Sequence, residues 1–489
     1  MTSHLLAYVG GALTVLVAVA VATGFAARWW KGFTHRAALR VHKRYGARID
    51  RVKFTDRETV ITALLADPVV IAAARAHAEA DHTDHAAAMA RVRRYLDEMV
   101  PQFSLWLYYR FGLAIAEAVL KLFFRVEVVD KRQGAVAALP RDSVVIYLAN
   151  HRSNADYVLA GYALAGQVAI SYAVGEWARV FPLEYLFKAF GAYFIRRRFR
   201  DPLYHAVLER YVQMITRNGV TQGIFPEGGL SRDGKFRPAK IGLLDYIIGV
   251  AREPEVAARA YIVPVAINYD RVLEDRSLLR ELHPDDGHRP PNKLVQFSIV
   301  LWYVAWNTFR IVTRRWKRHG DAVIVVGEPY PLAPWFADVR ARGHDLFTMP
   351  RDARLAEVQG LADDAMRRIG EIIPVTAVPL VCAAIQTLDS DYVSRERLLE
   401  RVDHLRESLA DDGRELVAPD EPADVVVDRA VELLWIRRAI MRDRGGFVVL
   451  PRGRELVSYY ANSIMHLLGA FEAAVRARDA LPVYQVVDL

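Results

Sequence analysis

The chain has 489 residues, 53% of them hydrophobic and 25% charged, which asks for roughly two to three packed units and excludes a disordered or collagen-like protein. A single cysteine, Cys382, excludes a disulfide scaffold and any multi-cysteine zinc or iron–sulfur centre, and it suits a reducing compartment. The net charge of +8 favours an anionic partner, whether a phospholipid surface, a phosphorylated substrate, an acidic carrier or a nucleic acid, while a mean hydropathy of +0.08 is too low for a polytopic membrane protein.

Leu5 to Ala27 carries no charge, and as a helix it would be about 35 Å long, enough to cross a hydrocarbon core of about 30 Å. Arg28, Lys31, Arg36, Arg40, Lys43, Arg44, Arg48, Arg51 and Lys53 follow against only Asp50. This pattern predicts a transmembrane anchor over 1–27 in the cell (inner or plasma) membrane, with everything after it on the cytoplasmic face. Trp29 and Trp30 stand where interfacial anchors would. The absence of basic residues in MTSH argues for an uncleaved anchor over a signal peptide. A buried core helix followed by a solvated basic face is the alternative.

Residues 28–125 read as a basic and helical region, with helical apolar spacing on both sides of a break at Pro101. The cluster His77, Asp81, His82, Asp84 and His85 reads as a polar helix–helix connection with Asp81, Thr83 and Asp84 as capping candidates, in preference to a metal site. From Val126 short β-branched runs alternate with helical stretches: VEVVD, SVVIYLA, QVAISYAV, QGIFP, AYIVPVAINY and DAVIVVGEPY. That alternation predicts an α/β domain over 126–335, a sheet flanked by helices. Residues 294–318 carry Gln296, Asn307 and Arg310, which spoil a spanning helix. Trp302, Tyr303, Trp306 and Trp316 with a basic tail suit a helix lying in the membrane interface, with a core helix as the alternative. Residues 350–489 are expected to form a helical C-terminal domain interrupted by an acidic loop at Asp411–Pro422.

Four segments carry chemistry. Asn150-His151-Arg152-Ser153-Asn154-Ala155-Asp156-Tyr157 follows the SVVIYLA strand. In one regular helix His151 and Asp156 would lie about 140° apart, so they meet only where the strand turns into a helix between them. A carboxylate on one imidazole nitrogen fixes the tautomer and frees the other as a general base. Ser153 reads as a cap before it reads as a nucleophile, and no G-x-S-x-G elbow exists, since Ser231 is followed by Arg232 and Asp233. The base should therefore activate a hydroxyl of the substrate itself. The second segment, Gly191-Ala192-Tyr193-Phe194-Ile195-Arg196-Arg197-Arg198-Phe199-Arg200, places four arginines behind a short apolar strand, a forked cationic clamp suited to phosphate or else a solvated basic turn. The third runs from Ile224 through Glu227, Gly228, Gly229, Ser231, Arg232 and Lys235 to Lys240, where paired glycines let backbone N–H groups approach an oxyanion or phosphate. In the fourth, around Val263-Pro264-Val265, Pro264 cannot donate to a ladder and predicts an edge or a bulge that could border an acyl groove.

These segments, in this order, resemble the glycerol-3-phosphate acyltransferase family. The family pattern is HRS-x-x-DY, GAFFIRR-x-F with LY and VL-x-x-Y, EGG-x-SR-x-GK with PK-x-GLL, and PV-x-I-x-Y; this chain has HRSNADY, GAYFIRRRF with LYHAVLERY, EGGLSRDGK with PAKIGLL, and PVAINY. The likeness extends through the helical segment before residue 125 to SYYANSIMHLL at 458–468. It implies a mixed α/β acyltransferase core and transfer of a fatty acyl group from acyl-CoA or acyl carrier protein to the sn-1 hydroxyl of glycerol-3-phosphate at a phospholipid membrane. The attack would be direct, with no acyl-enzyme, no metal and no cofactor beyond the thioester co-substrate. It further implies His151 as the base, Asp156 as its orienter, and Glu227 in the catalytic set. Phe194, Ile195, Arg196, Arg197, Gly228, Ser231, Arg232, Lys240 and Pro264 would serve the substrates. Leu230 departs from the arginine usual in the family, and Asp233 from a small polar residue, which puts one phosphate contact in question. The carboxyl extension is short against the family pattern, which weighs against a regulatory C-terminal region. Acylation of 1-acylglycerol-3-phosphate is the alternative activity, and a catalytically inert lipid-binding protein the alternative class. No nucleic-acid partner is expected, because the basic residues lie beside an apolar anchor instead of alternating with aromatics that stack on bases.

Overall fold

The helices before the sheet begin where side chains supply the missing hydrogen bonds. The structure is a computed structural model describing residues 57–101, 113–132, 134–164, 170–175, 187–188, 191–196, 199–282, 313, 317–388 and 390–469. Within these, α1 (Arg57–Leu65), α2 (Pro68–Ala80), α3 (His85–Met99) and α4 (Leu113–Phe123) precede the first strand. The Asp67 carboxylate accepts from Val69 N at 2.9 Å and Val70 N at 3.4 Å to cap α2, with Pro68 in the first turn. Asp84 caps α3 by accepting from Ala87 N at 2.5 Å, so the His77–His85 cluster is laid out as a helix–helix connection. Helix α3 stops at Met99 because Pro101 holds Val100 extended, at φ −70° and ψ 118°. The expected anchor at 1–27, the basic run to residue 56 and nearly all of the 294–318 stretch lie outside the described residues. No single described helix is long and apolar enough to cross a membrane.

The central sheet contains β1 (Arg125–Asp130), β2 (Val144–Ala149), β3 (Ser171–Val174), β4 (Tyr193–Phe194), β5 (Gln222–Ile224), β6 (Ala260–Tyr269), β7 (Asp321–Val326) and β8 (Tyr330–Pro331). Its order is β1-β7-β6-β2-β5-β3-β4, with β8 also pairing β6. Only β6–β7 and β6–β8 are antiparallel, so the sheet is mixed. Every residue of β2 and β7 is buried, as expected of strands covered on both faces, whereas β1 at the edge is half exposed. Helices α5 (Asp156–Leu164), α6 (Pro202–Arg217) and α7 (Gly242–Ile248) connect these strands. Pro264 corrects one expectation: β6 is an interior strand, neither an edge nor a bulge. The proline falls where its antiparallel partner changes, after β8 has paired Tyr261 and Ile262 and before β7 takes over at Val265. Its carbonyl still accepts from Gly327 N at 2.8 Å.

Beyond residue 350 come α8 (Arg351–Glu371), α9 (Ala377–Leu388), α10 (Arg395–Asp411), α11 (Ala423–Ile436) and α12 (Arg454–Asn462). The purely helical expectation is incomplete, because β9 (Tyr392–Ser394), β10 (Ile440–Asp443) and β11 (Gly446–Val449) form a small antiparallel sheet. Gly445, at φ +94°, makes the tight turn between β10 and β11 that a side chain would strain. This region packs on the same buried core as the sheet. Asn268 donates to Pro374 O at 3.0 Å, and Asp270 accepts from Asp321 N at 2.8 Å and Val378 N at 3.0 Å. Burial, then the neighbouring Asp321 carboxylate, pushes the Asp270 carboxyl up to about 6 from its ordinary 3.8. Its contribution to stability is therefore full below 3.8 and is lost as pH rises through about 6. Asp270→Asn is expected to lower Tm overall, since one backbone N–H loses its acceptor, and to flatten the fall in Tm between pH 4 and 6.5 seen by calorimetry. An unchanged slope would remove Asp270 from the acid–base ledger of folding.

Candidate active site

At the C-terminal end of β2 the chain turns through Asn150–Ala155 into α5, and this turn assembles the site. Asn150 fastens it to β6, its amide donating to Ile267 O at 2.9 Å and its carbonyl accepting from Ile267 N at 2.7 Å. Asp156 begins α5 and folds back, so that its Oδ2 lies 2.9 Å from His151 Nδ1 and also accepts from Arg152 N at 2.7 Å and Ser153 N at 3.0 Å. Its other oxygen accepts from Tyr269 Oη at 2.6 Å. A carboxylate used this way only accepts, so Nδ1 carries the proton and Nε2 keeps its lone pair. Among the described residues nothing hydrogen-bonds Nε2. The imidazole is held by Phe225, stacked at 4.2 Å, and by the edge of Tyr157 at 5.4 Å, and only 1% of His151 is exposed. A fixed tautomer whose second nitrogen no described residue engages suits a general base.

Ser153 behaves as a cap, as expected: its Oγ accepts from Ala155 N at 3.1 Å and donates to Glu274 Oε2 at 2.7 Å. Glu227 reaches the site differently from the expectation. Its Oε1 accepts from His151 N at 2.9 Å and its Oε2 from Arg237 N at 3.2 Å, so both oxygens hold backbone and neither meets the imidazole. Burial pushes its carboxyl upward, while the charge of Arg152 and the two backbone N–H groups pull it back. Glu227 is thus a positioning residue that ties the third segment to the first.

The third segment is shaped by close approaches. Gly228, at φ +65°, leaves room for Lys240, whose Cδ would lie 2.6 Å from an added Cβ and whose Nζ would lie 3.3 Å away. Ser231 N donates to His151 O at 3.3 Å, and its hydroxyl donates to Lys235 O at 2.7 Å, so this buried serine builds the turn. Arg232 pairs at the surface with Glu281 at 2.7 Å. Gly234, at φ +83°, sits so tightly under α12 that a Cβ would come within 1.8 Å of Tyr459 O. Gly234→Ala is expected to destabilise the fold by about 3 kcal/mol or more through strain and collision, with thermal unfolding as the measure. A Tm within 2 °C of wild type would show that α12 does not clamp this loop.

Leu230 is half-buried against the core, and its carbonyl accepts from Arg237 Nη1 at 3.3 Å. The second segment is only partly described. Phe194 is buried in β4, and Ile195 N donates to Val174 O at 2.9 Å. Arg196 forks onto Glu98, at 2.6 to 3.0 Å, over the rings of Phe199, Tyr95 and Tyr204. The guanidinium thus already has a carboxylate on Nε and Nη2. Arg197 lies outside the described residues. Tyr269 and Glu274 were missed from sequence. The tyrosine ends the PVAINY segment and was within reach of the motif, whereas Glu274 stands in a loop with no pattern around it.

The profile described as Acyltransferase matches residues 133–268, and that described as Glycerol-3-phosphate acyltransferase C-terminal region matches residues 305–475. A protein named glycerol-3-phosphate acyltransferase from Pseudoalteromonas translucida is 27% identical over 432 residues, covering 85% of this chain and 50% of its own. One of the same name from Pseudoalteromonas atlantica is 26% identical over 460 residues, covering 89% of this chain and 53% of its own. The chain thus spans about half the length of the curated relatives it matches. Among solved structures, the 1-acyl-sn-glycerophosphate acyltransferase of Thermotoga maritima aligns with 53% of this chain and 77% of its own at 17% identity, with a TM-score of 0.29. With both profiles side by side along it and likeness to those relatives across 85–89% of its own residues, the chain is similar to the glycerol-3-phosphate acyltransferases.

Proposed function

We propose that this protein transfers a fatty acyl group from a thioester to the sn-1 hydroxyl of glycerol-3-phosphate. The observation that carries the reading is the buried His151–Asp156 pair at 2.9 Å with Nε2 left unengaged among the described residues. His151 Nε2 takes the hydroxyl proton as the oxygen attacks the thioester carbonyl carbon. The tetrahedral oxyanion then collapses, the C–S bond breaks, and the imidazolium returns the proton to the leaving thiolate. Asp156 steadies the imidazolium throughout, and the Tyr269 hydroxyl steadies Asp156. General base catalysis supplies about 10²–10⁴-fold, and positioning with oxyanion stabilisation supplies the rest. In this reading Arg197 takes the phosphate, with Lys240 beside Gly228 as a second cation.

The same reading places the protein on the cytoplasmic face of the cell membrane, held by residues 1–27 and by the basic run that follows. The deciding experiment offers purified full-length protein radiolabelled glycerol-3-phosphate or 1-acylglycerol-3-phosphate, each with palmitoyl-CoA or palmitoyl-acyl carrier protein. Labelled 1-acylglycerol-3-phosphate as product supports the proposal. Acylation of the monoacyl acceptor alone transfers the activity to the sn-2 position, and no product from either acceptor favours an inert lipid-binding protein.

A further inference from the structure

The catalytic turn is held from outside by one carboxylate. Glu274 Oε2 accepts from Ser153 Oγ at 2.7 Å, and its Oε1 accepts from Asn154 N at 3.1 Å. A single side chain therefore fixes two of the residues that lie between His151 and Asp156.

Glu274 is anchored in turn by its neighbour. It stands at the head of a short helix, Asp275–Arg280, whose first residue is buried. Asp275 Oδ2 accepts from Arg437 Nε at 3.0 Å and from Tyr460 Oη at 2.9 Å, while Arg437 Nη2 donates to Oδ1. The fork is sealed from water, with 5% of the Arg437 side chain and 2% of the Asp275 side chain exposed. Tyr460 Oη also accepts from Val272 N at 3.1 Å, so one hydroxyl ties the chain on both sides of Glu274. Arg437 follows α11 and Tyr460 lies on α12, 162 and 185 residues beyond Asp275. The end of α12 reaches the first and third segments as well: Asn462 Nδ2 donates to Asp233 O at 2.8 Å, and Arg152 Nη2 donates to Ser463 O at 3.4 Å.

A buried ion pair adds little net stability over an apolar pair of the same shape, so stability alone does not account for this one. What it does fix is direction, since the bidentate fork and the hydroxyl leave Asp275, and with it the backbone of Glu274, a single placement. We infer that Arg437 and Tyr460 are positioning residues for acyl transfer: through Asp275 they set Glu274, and through Glu274 they hold the Ser153–Asn154 turn that brings His151 to Asp156. The inference rests on the acyl-transfer reading and makes the C-terminal region a working part of the active site. It also ranks two changes against their distance from the chemistry. Ser153→Ala breaks one of the two bonds to Glu274 and leaves the one from Asn154 N, whereas loss of Arg437 loosens both. The remote substitution should cost more rate than the near one.

The test reads rate and local order separately, on the full-length protein. Arg437→Ala is expected to lower kcat with glycerol-3-phosphate and palmitoyl-CoA by about fivefold or more and to leave both KM values within about twofold, because the base is displaced and the substrate contacts are not. Hydrogen–deuterium exchange of the peptide covering 151–156 should quicken by about tenfold or more, while the peptide over β2 at 144–149 keeps its rate. Arg437→Lys, which keeps the charge and loses the fork, and Tyr460→Phe, which loses only the hydroxyl, should show smaller changes of the same kind and carry the test if Arg437→Ala does not fold. In a Glu274→Ala background, Arg437→Ala should cost less than about twofold more in kcat, since its route to the turn is already gone. Additive losses in that cycle, or a lower Tm with exchange in the turn unchanged, would make the pair purely structural and overturn the inference. Wild-type protein that transfers no acyl group would sink the activity instead, and faster exchange in the turn of Arg437→Lys and Tyr460→Phe would still uphold the positioning.

Discussion

His151→Ala is expected to lower kcat by at least about 10³-fold with glycerol-3-phosphate and palmitoyl-CoA, because it removes the one nitrogen placed to take the hydroxyl proton. The imidazole also packs face-on to Phe225 at 4.2 Å, so its loss costs packing, about 1–3 kcal/mol. Far-UV circular dichroism and the Tm separate that cost from the chemical one: the variant should melt a few degrees lower yet remain folded at the assay temperature. Ser153→Ala is the matched control from the same turn. Its hydroxyl caps the helix start and donates to Glu274, so it should lose about 1 kcal/mol of stability and keep most of its rate. A His151→Ala enzyme retaining more than a few per cent of wild-type kcat would end the general-base account, and a dead, folded Ser153→Ala would reopen an acyl-serine route.

What could be read from sequence follows from how local each signal is. The buried strands β2, β6 and β7 announce themselves as continuous β-branched runs, and the turn from His151 to Asp156 is forced by the mismatch between their spacing and a helical face. Asp84 at the head of α3 is legible for the same reason, since a cap acts within three residues. Partners distant in sequence were not legible. Glu98 lies 98 residues before Arg196 and neutralises it, which no pattern inside FIRRRF betrays. Glu227 looks catalytic beside two glycines, yet its carboxylate is consumed by the backbone of a segment 76 residues earlier. The β9–β11 sheet escaped because strands of three or four residues carry too few alternations to register against helical surroundings. Pro264 is the instructive middle case. Its missing N–H was a sound reason to doubt an interior strand, and the fold satisfies that reason by changing β6's partner at that residue.

Asp156→Asn tests the orientation of the base, and the donors around the carboxylate set the expected size of the effect. Oδ2 receives His151 Nδ1 and the N–H groups of Arg152 and Ser153, and Oδ1 receives the Tyr269 hydroxyl. An amide has a single acceptor oxygen. If that oxygen keeps the three donors on the turn, the new NH₂ faces the Tyr269 hydroxyl, which can reverse and accept. If the NH₂ faces His151 instead, Nδ1 must become the acceptor, Nε2 takes the proton, and the base is lost. In either arrangement the imidazolium loses its counter-charge, and a loss of about 10³–10⁴ in kcat is expected, the scale found when an amide replaces the aspartate of a catalytic triad. Tyr269→Phe removes only the outer hydrogen bond. It leaves the carboxylate charged and the tautomer unchanged, so kcat should fall by about 5–30-fold, matching a charge-assisted hydrogen bond of about 1–2 kcal/mol. The fall comes from orientation, because Asp156, released on its Oδ1 side, is aligned on Nδ1 for less of the time. Where it is aligned, the less shared carboxylate favours the imidazolium, and the acidic limb of the kcat/KM–pH profile should move to higher pH. A purely structural tyrosine would lower Tm without moving that limb. Equal rates for Asp156→Asn and wild type would mean that His151 is oriented by its rings and backbone alone.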